Sequence, residues 1–281
     1  MAAVPTRMLC AIEFPELVMA ALPTVFVSHG SPMLALRPGS TGLAWRELAQ
    51  RLPRPRAVLV ASAHWLTPMP AVSIAARPET IHDFGGFPDA LHRIEYPAPG
   101  EPEVAREVAG LLADTGLPAQ LMERGLDHGA WVPLREWYPQ ADVPVLQLSL
   151  QPRLGPAHHY RLGQALRPLA ERGVLVLGSG SLTHNLHEIG PEAGEPEAYV
   201  GDFQRWMQQR LLERDVDALL DYRRLAPSAV RAHPTEEHLL PIFVALGAAP
   251  EPASAQLYFQ DVTHQVLAMD AYLFQHEPDA G

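Results

Sequence analysis

Three short apolar runs end in the same way, and that repetition constrains the fold more than any other feature. Val25-Phe26-Val27 runs into Ser28-His29-Gly30-Ser31-Pro32. "AVLVAS" (57–62) leads to His64, and "GVLVLG" (173–178) leads through a Ser/Gly turn to His184. Continuous apolar runs of this length are the mark of strands buried on both faces of a parallel or mixed sheet. A first strand is therefore expected at 24–28, with others at 71–75, at "AQLMER" (119–124), at 143–150 and at 255–260. Helical spacing occupies 42–52, 101–114, 157–171, 199–221 and 235–246, and 265–274 reads as an amphipathic end.

Strands that alternate with helices along the whole length predict an α/β fold, one domain with a central mixed or parallel sheet flanked by helices. With 281 residues and a hydrophobic fraction of 47%, the chain can bury one large core. No repeat or low-complexity linker divides it, so a single catalytic domain is expected over 21–275. Residues 1–20 carry Arg7, Glu13 and Glu16 and make a poor signal peptide. They are expected to be a disordered tail or an extended start, with Met19 as an alternative first residue.

Charge narrows the partners. A net charge of -11 argues against nucleic acid and against an anionic membrane surface. No apolar run approaches the roughly 20 residues of a membrane span. A single cysteine, Cys10, allows neither a disulfide framework nor a thiolate metal cage, and a cytoplasmic location is expected. Composition does not choose between monomer and homodimer.

Histidine is the unusual count, at 13. Ligands of open α/β sheets bind beyond the carboxyl ends of the strands. His29, His64 and His184 each follow a buried strand, so parallel neighbours would aim three imidazoles into one crevice. Imidazole is the commonest protein metal ligand, and without cysteine such a set suits Zn(II) or Fe(II). In "HPTEEHLLPIFVALGA", Thr235 reads as an N-cap with Glu236, Glu237 and His238 in the first helical turn. Glu236 and Glu237 are explained by the helix dipole. A cation is disfavoured there, so His238 is expected to be neutral, the metal-binding form. His233 is a weaker candidate.

Two stretches without periodicity, 76–100 and 122–135, are expected to be irregular functional loops. The first holds Phe84, Gly85, Gly86, Phe87 and Tyr96, a candidate aromatic pocket. The second holds Asp127-His128, where the carboxylate could orient the imidazole for acid–base work. Arg93 and Arg124 lie in the same loops, as carboxylate clamps or as solvated side chains. His158, His159, His187, His264 and His276 have no suggestive context.

Taken in order, "SHGSPM", "SAHW", "HDFGGFP" with "YPAPG", "DHGAWVPL" and "PTEEHLLPI" resemble the DODA-type extradiol ring-opening dioxygenases of the class III extradiol superfamily. The catalytic subunit of protocatechuate 4,5-dioxygenase belongs to the same superfamily. The matches run from about residue 24 to residue 247. The resemblance implies a non-haem metal site that uses O2 to open a catechol ring next to its hydroxyls. It carries metal ligation onto His29, His64 and His238. His184 maps onto a histidine that is either ligand or acid–base catalyst, and Glu237 remains an alternative to His238 as third ligand. "GSGSLTHN" matches loosely, and the first 20 residues have no counterpart in the family.

The expected activity is thus Fe(II)-dependent extradiol cleavage, with His184 moving protons and His128 bonding to the bound oxygen or the developing anion. Zn(II) is a competing occupant in a purified sample. Two other readings share these residues: a zinc hydrolase with Glu237 or His184 as base, and a non-catalytic binding protein like Memo.

Overall fold

The structure is a computed structural model, and it describes residues 21–192 and 194–276. The expected tail or early start at 1–20, with Cys10 and Met19, lies outside the described residues. The strands are β1 (Thr24–Ser28), β2 (Ala57–Leu66), β3 (Ala71–Ser73), β4 (Gln120–Met122), β5 (Val145–Leu150), β6 (Val174–Gly180), β7 (Ala253–Phe259), β8 (Val262–Thr263), β9 (Leu267–Ala268) and β10 (Ala271–His276). Eight of them form one mixed sheet in the order β4-β3-β5-β2-β6-β1-β10-β7. The central four, β5, β2, β6 and β1, are parallel. These are the apolar runs of the sequence, and β1, β5 and β6 are buried at every residue, as a sheet covered on both faces requires.

Ten helices among the described residues flank it: α1 (Gly39–Arg51), α2 (Asp89–His92), α3 (Pro102–Asp114), α4 (His128–Trp137), α5 (Gly155–Leu166), α6 (Ala198–Leu212), α7 (Val216–Leu220), α8 (Tyr222–Leu225), α9 (Ala229–Ala232) and α10 (Leu240–Ala248). The core includes the fully buried Trp45, Trp131, Phe26, Phe203 and Phe243. Each such side chain stabilises the fold by roughly 1.5–3 kcal/mol relative to exposure.

Several boundaries differ from the sequence expectations, each for a local reason. β2 continues through His64 to Leu66, with an irregular register against β5 after Ala61; His64 sits in the strand and not beyond it. The stretch 122–135 is not wholly irregular, because His128 opens α4, which tolerates Pro133 inside it. Thr235 caps no helix. Residues 235–239 form turns, and α10 begins at Leu240 with Pro241 in its first turn. A helix begun at 235 would place Pro241 in its interior, where it lacks an N–H and its ring clashes with the carbonyl four residues back. The segment 265–274 is not helical. Its end is β10, an antiparallel strand between β1 and β7.

Candidate metal centre

β1 delivers His29. The backbone N–H groups of Ser28 and His29 are held by Asp270 O (3.0 Å) and Gly180 O (2.9 Å). Gly30 then turns with φ +61°, and Ser31 caps a short turn of 3₁₀ helix by accepting from Met33 N at 3.3 Å. His238 is fixed from behind: its carbonyl accepts from Ser181 N at 2.8 Å. This approach is why β6 ends in glycine, since a Cβ on Gly180 would collide with the His238 carbonyl. The small residues after "VLVL" thus seat the start of α10 against the sheet.

Five imidazoles converge at these strand ends. Ring centroids of His29 lie 4.9 Å from His64, 5.3 Å from His128 and 5.6 Å from His238. His64 and His128 are 3.9 Å apart, and His64 and His238 5.0 Å. His184 stacks on His238 at 3.4 Å and 9°. Ligand atoms of His29, His64 and His128 lie within 4.8 Å of one another, as do those of His184, Glu237 and His238.

Hydrogen bonds choose the tautomers. Ser179 Oγ donates to Gly129 O, so it accepts from His29 Nδ1 at 3.0 Å. His64 Nδ1 faces Asp83 Oδ2 at 3.4 Å. His238 Nδ1 faces Glu237 Oε1 at 3.1 Å. Ser179 and Glu237 thus take the Nδ1 protons of His29 and His238 and leave their Nε2 lone pairs, and the charge of Asp83 beside Nδ1 favours the same tautomer for His64 when a cation sits against its Nε2. The Nε2 atoms of His29 and His64 then face each other at 3.0 Å, and His238 Nε2 is buried with no partner. Facing lone pairs and an orphaned buried nitrogen are what a cation would satisfy, so these residues fit a metal ion. All three are neutral. Burial lowers His29 and His238 well below 6.5, and burial followed by the neighbouring His128 brings His64 to about 4. Burial likewise takes His184 to about 4.

Asp83, absent from the sequence expectations, is the orienting carboxylate here. Its Oδ1 accepts both the backbone N–H (3.0 Å) and Nδ1–H (2.9 Å) of His128. Burial pushes Asp83 up, but the bonds from His128 outweigh it and leave the carboxyl at about 2. Asp127 does not orient its neighbour His128. It is fully buried and accepts from Ser62 Oγ (2.6 Å), Gln147 Nε2 (2.6 Å) and Arg124 (3.2 Å).

The centre floors a cavity of about 700 Å³. Phe84 and Phe87 line it as expected, but Tyr96 is buried elsewhere, its hydroxyl reaching the Leu134 and Tyr138 carbonyls. Arg124 is spent on His64 O, Asp127 and the Trp65 ring, and Arg93, exposed at the end of α2, does not line the cavity. His187 and His264, bland in sequence, do line it. His158 and His159 are structural, tied to Gln151 and Gly155, and His233 is buried with Nε2 at 2.8 Å from Leu182 O. Glu236 turns away to Tyr222 and Arg223. No helix among the described residues is long and apolar enough to cross a membrane.

Comparison with known proteins agrees with this arrangement. The family model described as the catalytic LigB subunit of aromatic ring-opening dioxygenase matches residues 23–271. A Beta vulgaris protein named 4,5-DOPA dioxygenase extradiol is 42% identical, over 89% of this chain and 96% of that one. An Escherichia coli K12 protein of the same name is 36% identical, over 81% and 85%. The crystal structure of an uncharacterized Escherichia coli K12 protein superimposes with a TM-score of 0.76 at 28% identity, covering 90% of this chain and 99% of that one. The chain belongs to the LigB family of aromatic ring-opening dioxygenases and is an extradiol ring-cleaving enzyme with a histidine-rich metal site.

Proposed function

We propose that the chain opens the ring of a substituted catechol at an Fe(II) held by His29, His64 and His238, with His184 and His128 as acid–base residues. The observations that support this reading are the Nε2 atoms of His29 and His64 at 3.0 Å and the buried, unpartnered Nε2 of His238, whose ring lies 5.6 Å and 5.0 Å from theirs, beneath a cavity lined by Phe84 and Phe87. The relatives are named for 3,4-dihydroxyphenylalanine, a catechol with a side chain, which makes it the reference compound in the catechol panel. Zn(II) is a competing occupant, because affinity for such a site follows geometry and availability as well as function. The lone cysteine supports a cytoplasmic placement.

The bound metal supplies the electronic link between an electron-rich catecholate and O2. Both oxygen atoms enter one product, and the ring bond beside the hydroxylated carbons breaks. His184, stacked flat on His238, is held to receive the proton of one catechol hydroxyl and return one to the product as the ring opens. His128 keeps its Nδ1–H on Asp83, so Nε2 meets the cavity as an acceptor. Once protonated it donates to the developing anion. Phe84 and Phe87 wall the ring and exclude water. Glu237 holds His238 and bonds to Thr235 (2.9 Å), which favours an orienting role over direct ligation. Family membership favours neither the zinc hydrolase nor the Memo-like binding protein.

The test is oxygen consumption by protein loaded anaerobically with Fe(II), against a panel of catechols, with the yellow ring-opened product followed in parallel. Uptake is expected with Fe(II), not with Zn(II), and not in His29→Ala. A protein holding one Fe(II) that consumes no O2 with any catechol overturns the proposal.

A further inference from the structure

The cavity is two chemically different halves. Its floor is imidazole. The wall above it is mainly apolar, with Phe87, Leu186, Ile189 and Leu267, and also carries the imidazoles of His187 and His264. Leu186 is 55% exposed and Ile189 48%, both beside the short 3₁₀ turn that follows His184. Large apolar side chains left open to water at a cavity mouth gain by covering an apolar ligand.

Charge points the same way. The chain contains no lysine, and no arginine lines the cavity among the described residues. Arginines nearby are engaged: Arg124 as above, and Arg231 with Glu188 (2.8 Å), Glu197 (3.3 Å) and the Tyr199 ring. The carboxylates in and behind the wall, Glu237 and Asp83, have the wrong sign for an anionic ligand. A substrate carboxylate placed here would lose hydration and meet no arginine, only the imidazoles of His187 and His264.

Resting on the ring-cleavage reading, we infer that the outer half of the cavity is a subsite for an uncharged, apolar ring substituent. The enzyme then prefers 4-alkyl- or 4-arylcatechols to catechols with a carboxylate on the side chain. An amino-acid side chain is accepted only as a poor fit.

The Fe(II)-loaded full chain is assayed with catechol, 4-tert-butylcatechol, dopamine, 3,4-dihydroxyphenylalanine and 3,4-dihydroxyphenylacetate. 4-tert-Butylcatechol is expected to exceed both carboxylates in kcat/KM by about tenfold or more, with most of the gap in KM. Ile189→Arg should raise the ratio of kcat/KM for 3,4-dihydroxyphenylacetate over 4-tert-butylcatechol by about tenfold. A carboxylate or dopamine that equals or beats 4-tert-butylcatechol overturns the inference while leaving ring cleavage intact. Anaerobic calorimetric titration with 4-tert-butylcatechol and 3,4-dihydroxyphenylacetate reads the subsite without turnover. Failure to cleave any catechol would therefore count against the ring-cleavage reading alone, and equal dissociation constants would count against the subsite.

Discussion

Asp83 grips His128 twice with one oxygen, through the backbone N–H at 3.0 Å and Nδ1–H at 2.9 Å, and turns its other oxygen to His64 Nδ1 at 3.4 Å. One carboxylate therefore fixes the tautomer of His128 by hydrogen bonding and biases that of His64 by its charge. Asp83→Asn separates its two tasks. The amide oxygen can still accept from His128, but the NH2 group then meets His64 Nδ1 donor to donor. His64 is pushed toward the tautomer with its proton on Nε2, which cannot ligate. Metal affinity should fall about 10–100-fold. Competition with a chelator reads the affinity. Affinity equal to that of the parent protein would show that Asp83 does not set His64.

His184→Ala distinguishes proton transfer from ligation. As an acid–base residue, His184 contributes roughly 10²–10⁴ to turnover. The variant should lose that factor in kcat and still bind one metal. Metal content and kcat are measured on the same sample. A variant that comes out metal-free assigns His184 to the ligand set beside Glu237 and His238, its neighbours within 4.8 Å.

The central strands were legible because burial on both faces favours apolar residues, so β1, β2 and β6 carry the runs Val25–Val27, 57–61 and 174–177, while β5 admits Gln147 and Ser149 only because both are hydrogen-bonded. His29, His64, His128, His184 and His238 were legible because each sits at or near a break in such a pattern. Asp83 was not. Its partner His128 is 45 residues away, and only the tertiary fold brings them together. A sequence offers the adjacent Asp127 instead, but that side chain points to Ser62 and Gln147. The start of α10 was misplaced for the opposite reason. Thr235 and its two glutamates imitate a capped first turn, and Pro241 decides otherwise. His187 and His264 carry no local signal because the cavity wall is assembled from separate loops.

Gly180→Ala tests the packing that seats His238. The added methyl would meet the His238 carbonyl, which already accepts from Ser181 N at 2.8 Å. Backbone cannot yield as a flexible side chain can. The start of α10 should shift at a cost of about 1–3 kcal/mol, read as a lower urea midpoint. Metal affinity should fall with it, because His238 moves with that carbonyl. Unchanged stability and affinity would mean that the approach of α10 to β6 has slack.

Asp270 gives a pH dependence that is independent of the metal. Burial drives its carboxyl from 3.8 up to about 7, against hydrogen bonds from Gln204 (2.7 Å), Gln260 (3.2 Å) and Tyr272 (3.4 Å). Its folded pKa thus lies above its unfolded one. Between pH 4 and 7, roughly, the native state keeps a proton that the unfolded chain has released, so this contribution to stability is lost as pH rises through that window. Three units correspond to on the order of 4 kcal/mol. Buried imidazoles oppose it: burial lowers His159 and His233 to about 4, so their cost fades as pH rises. The decisive quantity is therefore the difference between the parent protein and Asp270→Asn, measured by denaturant unfolding at pH 5, 6, 7 and 8 with chelator present. The amide carries no charge to desolvate, so the variant should gain on the parent from pH 5 to pH 7 and level off toward pH 8, by a few kcal/mol in all. A flat difference would mean that Asp270 titrates at an ordinary carboxylate pKa despite its burial.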